Sequence, residues 1–207
     1  MRTTWVIAVL ALSGTVKLAA QPNGHAGREL YAVCAGCHGF DGEGQQLVQA
    51  PRLAGLEPWY VARQMRNFAA GVRGYAAEDL HGTRMATMAK AARDERDIAD
   101  LSAYLTTLPV GKPAPTLSGD VENGRRLYAT CAACHGEDGA GREDTSSPGL
   151  AGLDDWYVVA QLQLFATGQR GAHTEDTYGQ QMRAMASLFA DDAARRDLAA
   201  HIGSLVP

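Results

Sequence analysis

The sequence predicts an all-α protein built from two tandem copies of one small domain. Apolar residues recur at helical spacing, and no segment shows the alternation of apolar and polar residues that is typical of strands. The 207-residue chain also matches itself without a gap when it is shifted by 97 residues. A period of that length indicates a duplicated domain and not a short solenoid repeat, so each copy is expected to form its own core.

Three helices are predicted in the first copy, and the second copy repeats the plan. They span 26–35, 59–70 and 93–107, and apolar residues recur along each at helical spacing. Leu30 and Val33 are expected to face inward from the first helix. The segments between the helices contain glycine and proline, which favour loops.

Composition along the chain indicates a leader, two domains and a linker. The leader holds a basic start at Arg2, a short apolar run and a small-residue end, which are typical of a signal peptide cleaved after Ala20. Its apolar run is shorter than the about 20 residues that a spanning helix needs. The chain is therefore expected to be exported to the periplasm. The predicted segments are a signal peptide (1–20), a first domain (21–109), a proline-rich linker (110–118) and a second domain (119–207).

Each copy carries a Cys-x-x-Cys-His sequence, at 34–38 and at 131–135, and together these use every cysteine of the chain. The motif is typical of covalent c-type haem attachment. Cysteines at positions i and i+3 lie on one face of a helix, so both thiols can reach one porphyrin edge. The adjacent histidine can then bind the iron. The sequence predicts two covalently bound haem c groups, held by Cys34, Cys37, Cys131 and Cys134, with His38 and His135 as iron ligands.

Two other interpretations of the cysteines remain open at this point. An exported chain commonly uses its cysteines in disulfides. Two Cys-x-x-Cys pairs also resemble the ligand set of a four-thiolate zinc site. Neither alternative explains why a histidine directly follows each pair.

Methionine is a candidate for the second iron ligand, because a thioether is a common partner of histidine in cytochromes. Four methionines form a repeated pattern, 51 and 54 residues after the first cysteine of each motif, on a predicted loop before the last helix. Met85 and Met182 are the predicted ligands, and Met88 and Met185 remain alternatives. The other histidines lack a counterpart in the sister copy and are expected to be surface or cap residues: His25, His81, His173 and His201.

The order of these motifs resembles class I cytochrome c domains, and the tandem arrangement resembles the dihaem cytochrome c4 family over 26–207. The resemblance implies that a proline carbonyl, from Pro51 or Pro148, accepts a hydrogen bond from each ligand imidazole. It also implies that the first methionine of each pair binds the iron. Candidates for packing on the haem or bonding its propionates are Trp59, Tyr60, Arg73, Trp156, Tyr157 and Arg170.

Iron with two protein ligands offers no open position for a substrate, so an electron carrier and not an enzyme is predicted. The expected partners are redox proteins: a quinol-oxidising complex on one side and a terminal oxidase or reductase on the other. One alternative is a haem-bearing subunit of a larger dehydrogenase or oxidase complex. Another is a dihaem peroxidase-type enzyme, which would need one displaceable ligand.

The charge distribution bears on the choice of partner. Residues 21–112 hold 10 basic and 10 acidic side chains, whereas 113–207 hold 7 basic and 13 acidic ones. The negative second half is expected to orient docking. The sequence contains no basic patch that would indicate a nucleic-acid partner. Membrane association is expected only through protein partners. The loops that differ most between the copies, 43–49 and 142–147, are expected to differ in partner contacts.

Overall fold

A computed structural model describes residues 21–205, and the predicted signal peptide lies outside them. Regular structure within that range is helical, apart from two isolated antiparallel bridges, Gln45 with Ala50 and Arg142 with Ser147. The all-α prediction is confirmed. None of the helices between residues 21 and 205 is both long and apolar enough to cross a membrane. The α-helices are α1 (Gly24–His38), α2 (Pro58–Ala69), α3 (Leu80–Met88), α4 (Glu95–Leu105), α5 (Val121–His135), α6 (Asp155–Ala166), α7 (Thr177–Ala186) and α8 (Asp192–Ser204).

The first and last helices of each domain cross at a glycine. Gly27 of α1 lies against the backbone of Asp100 in α4, and Gly124 of α5 lies against Asp197 in α8. A Cβ at either glycine would overlap the carbonyl oxygen of the facing aspartate. The missing side chain therefore lets the two helices approach closely and bring their apolar faces together.

Each domain has its own hydrophobic core beneath this helix crossing. Side chains from the first, second and last helices of the domain meet there, together with residues of the connecting loops. The core of the first domain contains Tyr31, Ala35, Ala54, Val61, Leu101, Leu105 and Leu108. The core of the second contains Tyr128, Val158, Phe189, Leu198, Ala199 and Ile202.

The methionine segments are helical, as α3 and α7, and the prediction of a loop there was wrong. An aspartate begins each helix and satisfies its first free backbone N–H groups. The Asp79 side chain accepts a hydrogen bond from the Gly82 backbone N–H at 2.8 Å, and Asp176 accepts one from Gly179 at 2.9 Å. These glycines obscured the helical pattern in the sequence, because glycine is a poor helix former.

Val33 does not face the core, contrary to prediction. Its side chain is 50% exposed and borders the cavity described below, one helical turn before Cys37. Leu30, in contrast, packs against the core as expected.

The predicted linker is held against the start of α6. The Asp155 carboxylate accepts hydrogen bonds from the backbone N–H groups of Thr116 and Leu117 and from the Thr116 hydroxyl, each at 2.7 Å. Burial raises the pKa of Asp155, but these hydrogen bonds outweigh burial and the net direction is downward. The ionised carboxylate thus fixes the chain where it enters the second domain.

The glycine crossing can be tested by substitution. Gly124→Ala is expected to lower the free energy of unfolding by about 1–3 kcal/mol, because the added methyl forces α5 and α8 apart. Urea unfolding followed by far-UV circular dichroism measures the change. Gly203→Ala is the matched control, since no atom lies within 4 Å of the position that its Cβ would take. The free energy of unfolding of that variant should rise by up to about 1 kcal/mol, because alanine has a higher helix propensity than glycine. Equal stability of Gly124→Ala and the wild type would contradict the close-approach argument.

Candidate haem-binding sites

Both Cys-x-x-Cys-His motifs lie in the last turn of the first helix of their domain. Each helix ends directly after the motif histidine, where Gly39 has a φ of 85° and Gly136 a φ of 83°. Only glycine takes this conformation without steric cost. The hydroxyls of Tyr31 and Tyr128 donate to the carbonyls of these two glycines at 2.6 and 2.9 Å. The turn after each motif is therefore fixed from both backbone and side chain.

One continuous cavity of about 560 Å³ lies between the domains and is bordered by both motifs. Its walls are largely apolar, and they include the innermost leucines of α4 and α8. The cavity brings together every predicted attachment and ligand residue: Cys34, Cys37, His38, Met85, Cys131, Cys134, His135 and Met182. The alternative methionines, Met88 and Met185, border it as well.

The motif histidines are oriented by proline carbonyls, as the family resemblance implies. His38 Nδ1 lies 2.7 Å from the Pro51 carbonyl oxygen, and His135 Nδ1 lies 2.7 Å from that of Pro148. A carbonyl oxygen only accepts, so Nδ1 carries the proton and Nε2 keeps its lone pair. Burial lowers the pKa of both imidazoles, although the hydrogen bonds to the carbonyls oppose it. Each ring is thus neutral and presents one nitrogen that can bind a metal.

The first cysteine of each motif is held as a thiol by burial. Burial raises the pKa of Cys34, and it raises that of Cys131 to about 11. In the part of the chain that the structure describes, all four cysteines are free. Within the same range no group of three or more His, Cys, Asp or Glu side chains is placed to hold a metal ion. The described residues therefore give no support to the disulfide and zinc alternatives.

The four methionines of the repeated pattern lie on α3 and α7 and all border the cavity. Met85 and Met88 are one turn apart, and Met88 is the more exposed of the two at 37%. Met182 and Met185 are also one turn apart on α7, and both are half-buried. Both members of each pair are candidate ligands by position, and burial favours Met85 in the first pair.

Six polar side chains form an interface cluster where the two domains meet at the cavity: Tyr60, Gln64, Arg73, Tyr157, Gln161 and Arg170. Arg73 donates to Gln64 of its own domain at 2.7 Å. Across the interface it donates to Gln161 at 3.0 Å and to the Tyr157 hydroxyl at 3.2 Å. The contacts of one arginine therefore join both domains.

Arg170 repeats this pattern from the other side. It donates to Gln161 at 2.5 Å, and across the interface to the Tyr60 hydroxyl and to Gln64, each at 3.2 Å. The interface cluster is therefore nearly two-fold symmetric. Its hydrogen bonds between residues about a hundred positions apart could not be read from helical periodicity.

Two acidic side chains also cross the interface, and sequence analysis did not identify them. Glu57 Oε1 accepts from the Gly149 backbone N–H at 2.7 Å. Asp154 Oδ2 accepts from the Arg52 backbone N–H at 3.0 Å. The two acids occupy equivalent positions of the repeat but differ in residue type, so a comparison of identical residues missed them. A comparison that treated Glu and Asp as equivalent would have found an acid directly before α2 and before α6.

His201 is buried, and its prediction as a surface or cap residue was wrong. Its ring packs on Tyr128 with centroids 5.1 Å apart. The equivalent Tyr104 packs on Tyr31 at 5.4 Å, so both residues fill the same position against the first helix. His25 and His81 are exposed, as expected.

Comparison with known proteins decides the family. A family model described as cytochrome c matches residues 25–109 and 121–206. The chain belongs to the cytochrome c family. It is 32% identical to cytochrome c4 of Azotobacter vinelandii, over 97% of this chain and 96% of that protein. It is also 34% identical to a thiosulfate dehydrogenase electron acceptor of Thiomonas intermedia, over 67% of this chain and 65% of that one.

Solved structures agree with this assignment. Reduced cytochrome c4 from Pseudomonas stutzeri superposes with a TM-score of 0.70 at 27% identity, over 89% of this chain and 99% of that one. Thiosulfate dehydrogenase (TsdBA) from Marichromatium purpuratum gives a TM-score of 0.70 at 33% identity, over 88% of this chain but 40% of that one. The predicted dihaem cytochrome c4-like family is confirmed, and two covalently bound haem c groups follow from it.

The interface cluster of this cytochrome fits the acidic edge of a haem. The side chains of Arg73 and Arg170 are buried, with 7% of each residue exposed, and a buried guanidinium needs a compensating anion. Within the described residues, Arg73 Nε is buried and has no hydrogen-bond partner. A haem propionate is a carboxylate that can accept such a bond. The donors of the cytochrome thus match the chemistry of the group.

Haem attachment can be tested one domain at a time. Replacing both Cys131 and Cys134 by alanine removes the thiols of the second motif, so one covalent haem per chain is expected where the wild type has two. The pyridine haemochrome assay counts them in protein made in a host with c-type maturation. The matched variant, with Cys34 and Cys37 replaced, should also give one. Loss of both haems from either variant would contradict independent attachment.

Proposed function

We propose that this protein is a periplasmic electron carrier. It passes single electrons from a donor such as a quinol-oxidising complex to a terminal oxidase or reductase. The observation that carries the proposal is the shared cavity, because it brings the predicted ligands of both domains to one interface. When bound, haem c supplies a one-electron iron couple, and the protein sets its potential.

The residue roles follow the pattern of each motif. In the first domain Cys34 and Cys37 would hold the haem, and His38 and Met85 would bind its iron. Cys131, Cys134, His135 and Met182 would do the same in the second domain. The proline carbonyls keep each imidazole in the tautomer that binds metal through Nε2. With two protein ligands on each iron, no position is left for a substrate, which favours a carrier over an enzyme.

The interface cluster serves both haems in this proposal. Its arginines and tyrosines would bind haem propionates at the domain interface. Charge compensation there would favour transfer of an electron from one domain to the other. Arg63 adds a further link, since it donates to the Ser146 carbonyl at 2.9 Å and stacks on Tyr178, 4.6 Å from the ring centroid.

The two domains present different surfaces to partners. Two exposed apolar side chains, here called the apolar edge, follow the first motif in the chain: Phe40 and Leu47, exposed by 84 and 100%. The equivalent positions of the second domain are acidic: Glu137 and Asp144. One redox partner therefore docks on the first domain through apolar contact, and the acidic second domain selects a partner with a basic surface.

A second candidate function is electron acceptor for a thiosulfate dehydrogenase. Relatives with that name are 34% and 31% identical to this chain. The solved TsdBA enzyme contains a region of the same fold. In this alternative, the chain takes electrons from thiosulfate oxidation. The chain also matches 38% of the CcoP subunit of a cbb3-type oxidase, which keeps a role as a haem-bearing subunit of a larger complex as a further alternative.

The ligand assignment can be tested with methionine variants. Met85→Ala and Met182→Ala should each remove about half of the weak near-red band of methionine-bound ferric haem, because each opens one iron. Each variant should also bind carbon monoxide at one haem after reduction, whereas the wild type should not. Met88→Ala and Met185→Ala are the matched controls and should resemble the wild type. If a control loses the band instead, the ligand of that domain is the second methionine. Carbon monoxide binding by the wild type would favour the enzyme alternative.

The apolar edge can be tested with residues taken from the second domain. In the double variant Phe40→Glu and Leu47→Asp, the second-order rate of reduction by purified thiosulfate dehydrogenase, or of oxidation by purified cbb3-type oxidase, should fall roughly tenfold. Stopped-flow absorbance measures both reactions. Leu188→Asp changes a leucine that is 65% exposed in the second domain and should leave the slowed reaction unchanged. Unchanged rates with both partners in the double variant would show that this edge is not a docking surface.

A further inference from the structure

A carboxylate of the second domain reaches the peptide that orients the histidine of the first domain. Asp154 Oδ2 accepts from the Arg52 backbone N–H at 3.0 Å. That N–H belongs to the same peptide group as the Pro51 carbonyl, which accepts from His38 Nδ1 at 2.7 Å. Two hydrogen bonds in series therefore connect Asp154 with His38 through one peptide group.

The same connection runs in the opposite direction. Glu57 of the first domain accepts from the Gly149 backbone N–H at 2.7 Å. The Pro148 carbonyl of that peptide group accepts from His135 Nδ1 at 2.7 Å. Each domain thus supplies the carboxylate for the other domain's histidine, with Glu on one side and Asp on the other.

Neither acid serves its own helix. Glu57 and Asp154 stand at the N-cap positions of α2 and α6, where an acidic side chain usually accepts from the first turn. Neither makes such a bond, whereas Asp79 and Asp176 do so at the N-caps of α3 and α7. These two carboxylates are therefore directed to the opposite domain.

Burial makes the contact electrostatically effective. Asp154 and Arg52 are 9% and 8% exposed. Within the described residues, Glu57 Oε2 is buried and has no hydrogen-bond partner, so its Oε1 carries the hydrogen bond of that carboxylate. Hydrogen bonds in a low dielectric polarise one another along a chain.

The peptide group transmits that polarisation because its N–H and C=O share one resonance system. A carboxylate at the N–H increases the negative charge on the carbonyl oxygen. The carbonyl then accepts more strongly from Nδ1–H, and the imidazole becomes a stronger donor at Nε2. A stronger donor stabilises ferric over ferrous iron and lowers the reduction potential.

We propose that Asp154 and Glu57 are crossed positioning residues, each of which lowers the reduction potential of the haem in the opposite domain. This inference rests on the proposed ligation of iron by His38 and His135. It makes the potential of each haem depend on contact with the other domain. Separation of the domains would then raise both potentials.

The test uses the full-length dihaem protein with one charge removed at a time. Asp154→Asn keeps an oxygen acceptor but loses the charge, so the midpoint potential of the first-domain haem should rise while that of the second stays unchanged. Glu57→Gln should raise the midpoint potential of the second-domain haem alone. Spectroelectrochemical titration gives the potentials, and hyperfine-shifted proton resonances, assigned with the methionine variants, identify the haem that moved.

Two matched variants separate this role from a structural one. Asp155→Asn removes a buried charge one residue away. That carboxylate binds peptide groups of the linker, neither of which orients a motif histidine, so the first-domain potential should stay unchanged. Asp154→Glu keeps a carboxylate and introduces the residue type of the equivalent Glu57. Its first-domain potential should stay close to the wild-type value.

The outcomes also distinguish this inference from the proposed function. Low-spin, six-coordinate haems in Asp154→Asn and Glu57→Gln with unmoved potentials would overturn the crossed effect alone. The inference would also be overturned if the midpoint potential shifted for the haem in the acid's own domain, or shifted equally for both haems. High-spin haem in the wild type would instead overturn the proposed ligation.

Discussion

The hydrogen bond from each motif histidine to a proline carbonyl is the contact around which each domain is arranged. It fixes the imidazole tautomer and the direction of Nε2, and so determines where an iron can be bound. The first helix must end at the histidine for this geometry, which the following glycine permits through its positive φ. The last helix must then cross the first closely enough to close the core behind the site, which requires a second glycine.

Duplication of the domain places two such haem-binding sites in one protein. Both sites open on one cavity, and the residues between them come from both domains in a nearly symmetric set of hydrogen bonds. The arginines of this set are costly to bury without an anion, so haem binding and domain association support each other. In the proposed function, the interface is therefore part of the redox centre as well as a contact between two folded units.

Symmetry in the interior is combined with asymmetry at the surface. The repeat preserves cysteines, histidines, prolines and methionines at fixed spacing, whereas the loop beside each motif has changed from apolar to polar. A carrier needs two distinguishable docking ends and a shared interior for transfer between them. The distribution of charge between the halves agrees with that need.

The sequence by itself determined the duplicated all-α plan and the two haem motifs, and it supplied candidate ligands for each site, because these depend on spacing within one helix or one repeat. It also located the proline carbonyls, through resemblance to a family. Only the tertiary structure decided that both sites share a cavity and that His201 is buried against Tyr128. It alone also decided that Glu57 and Asp154 accept hydrogen bonds from the other domain and not from their own helices. Those features arise from contacts between residues far apart in the chain, and local periodicity carries no information on which distant surfaces meet.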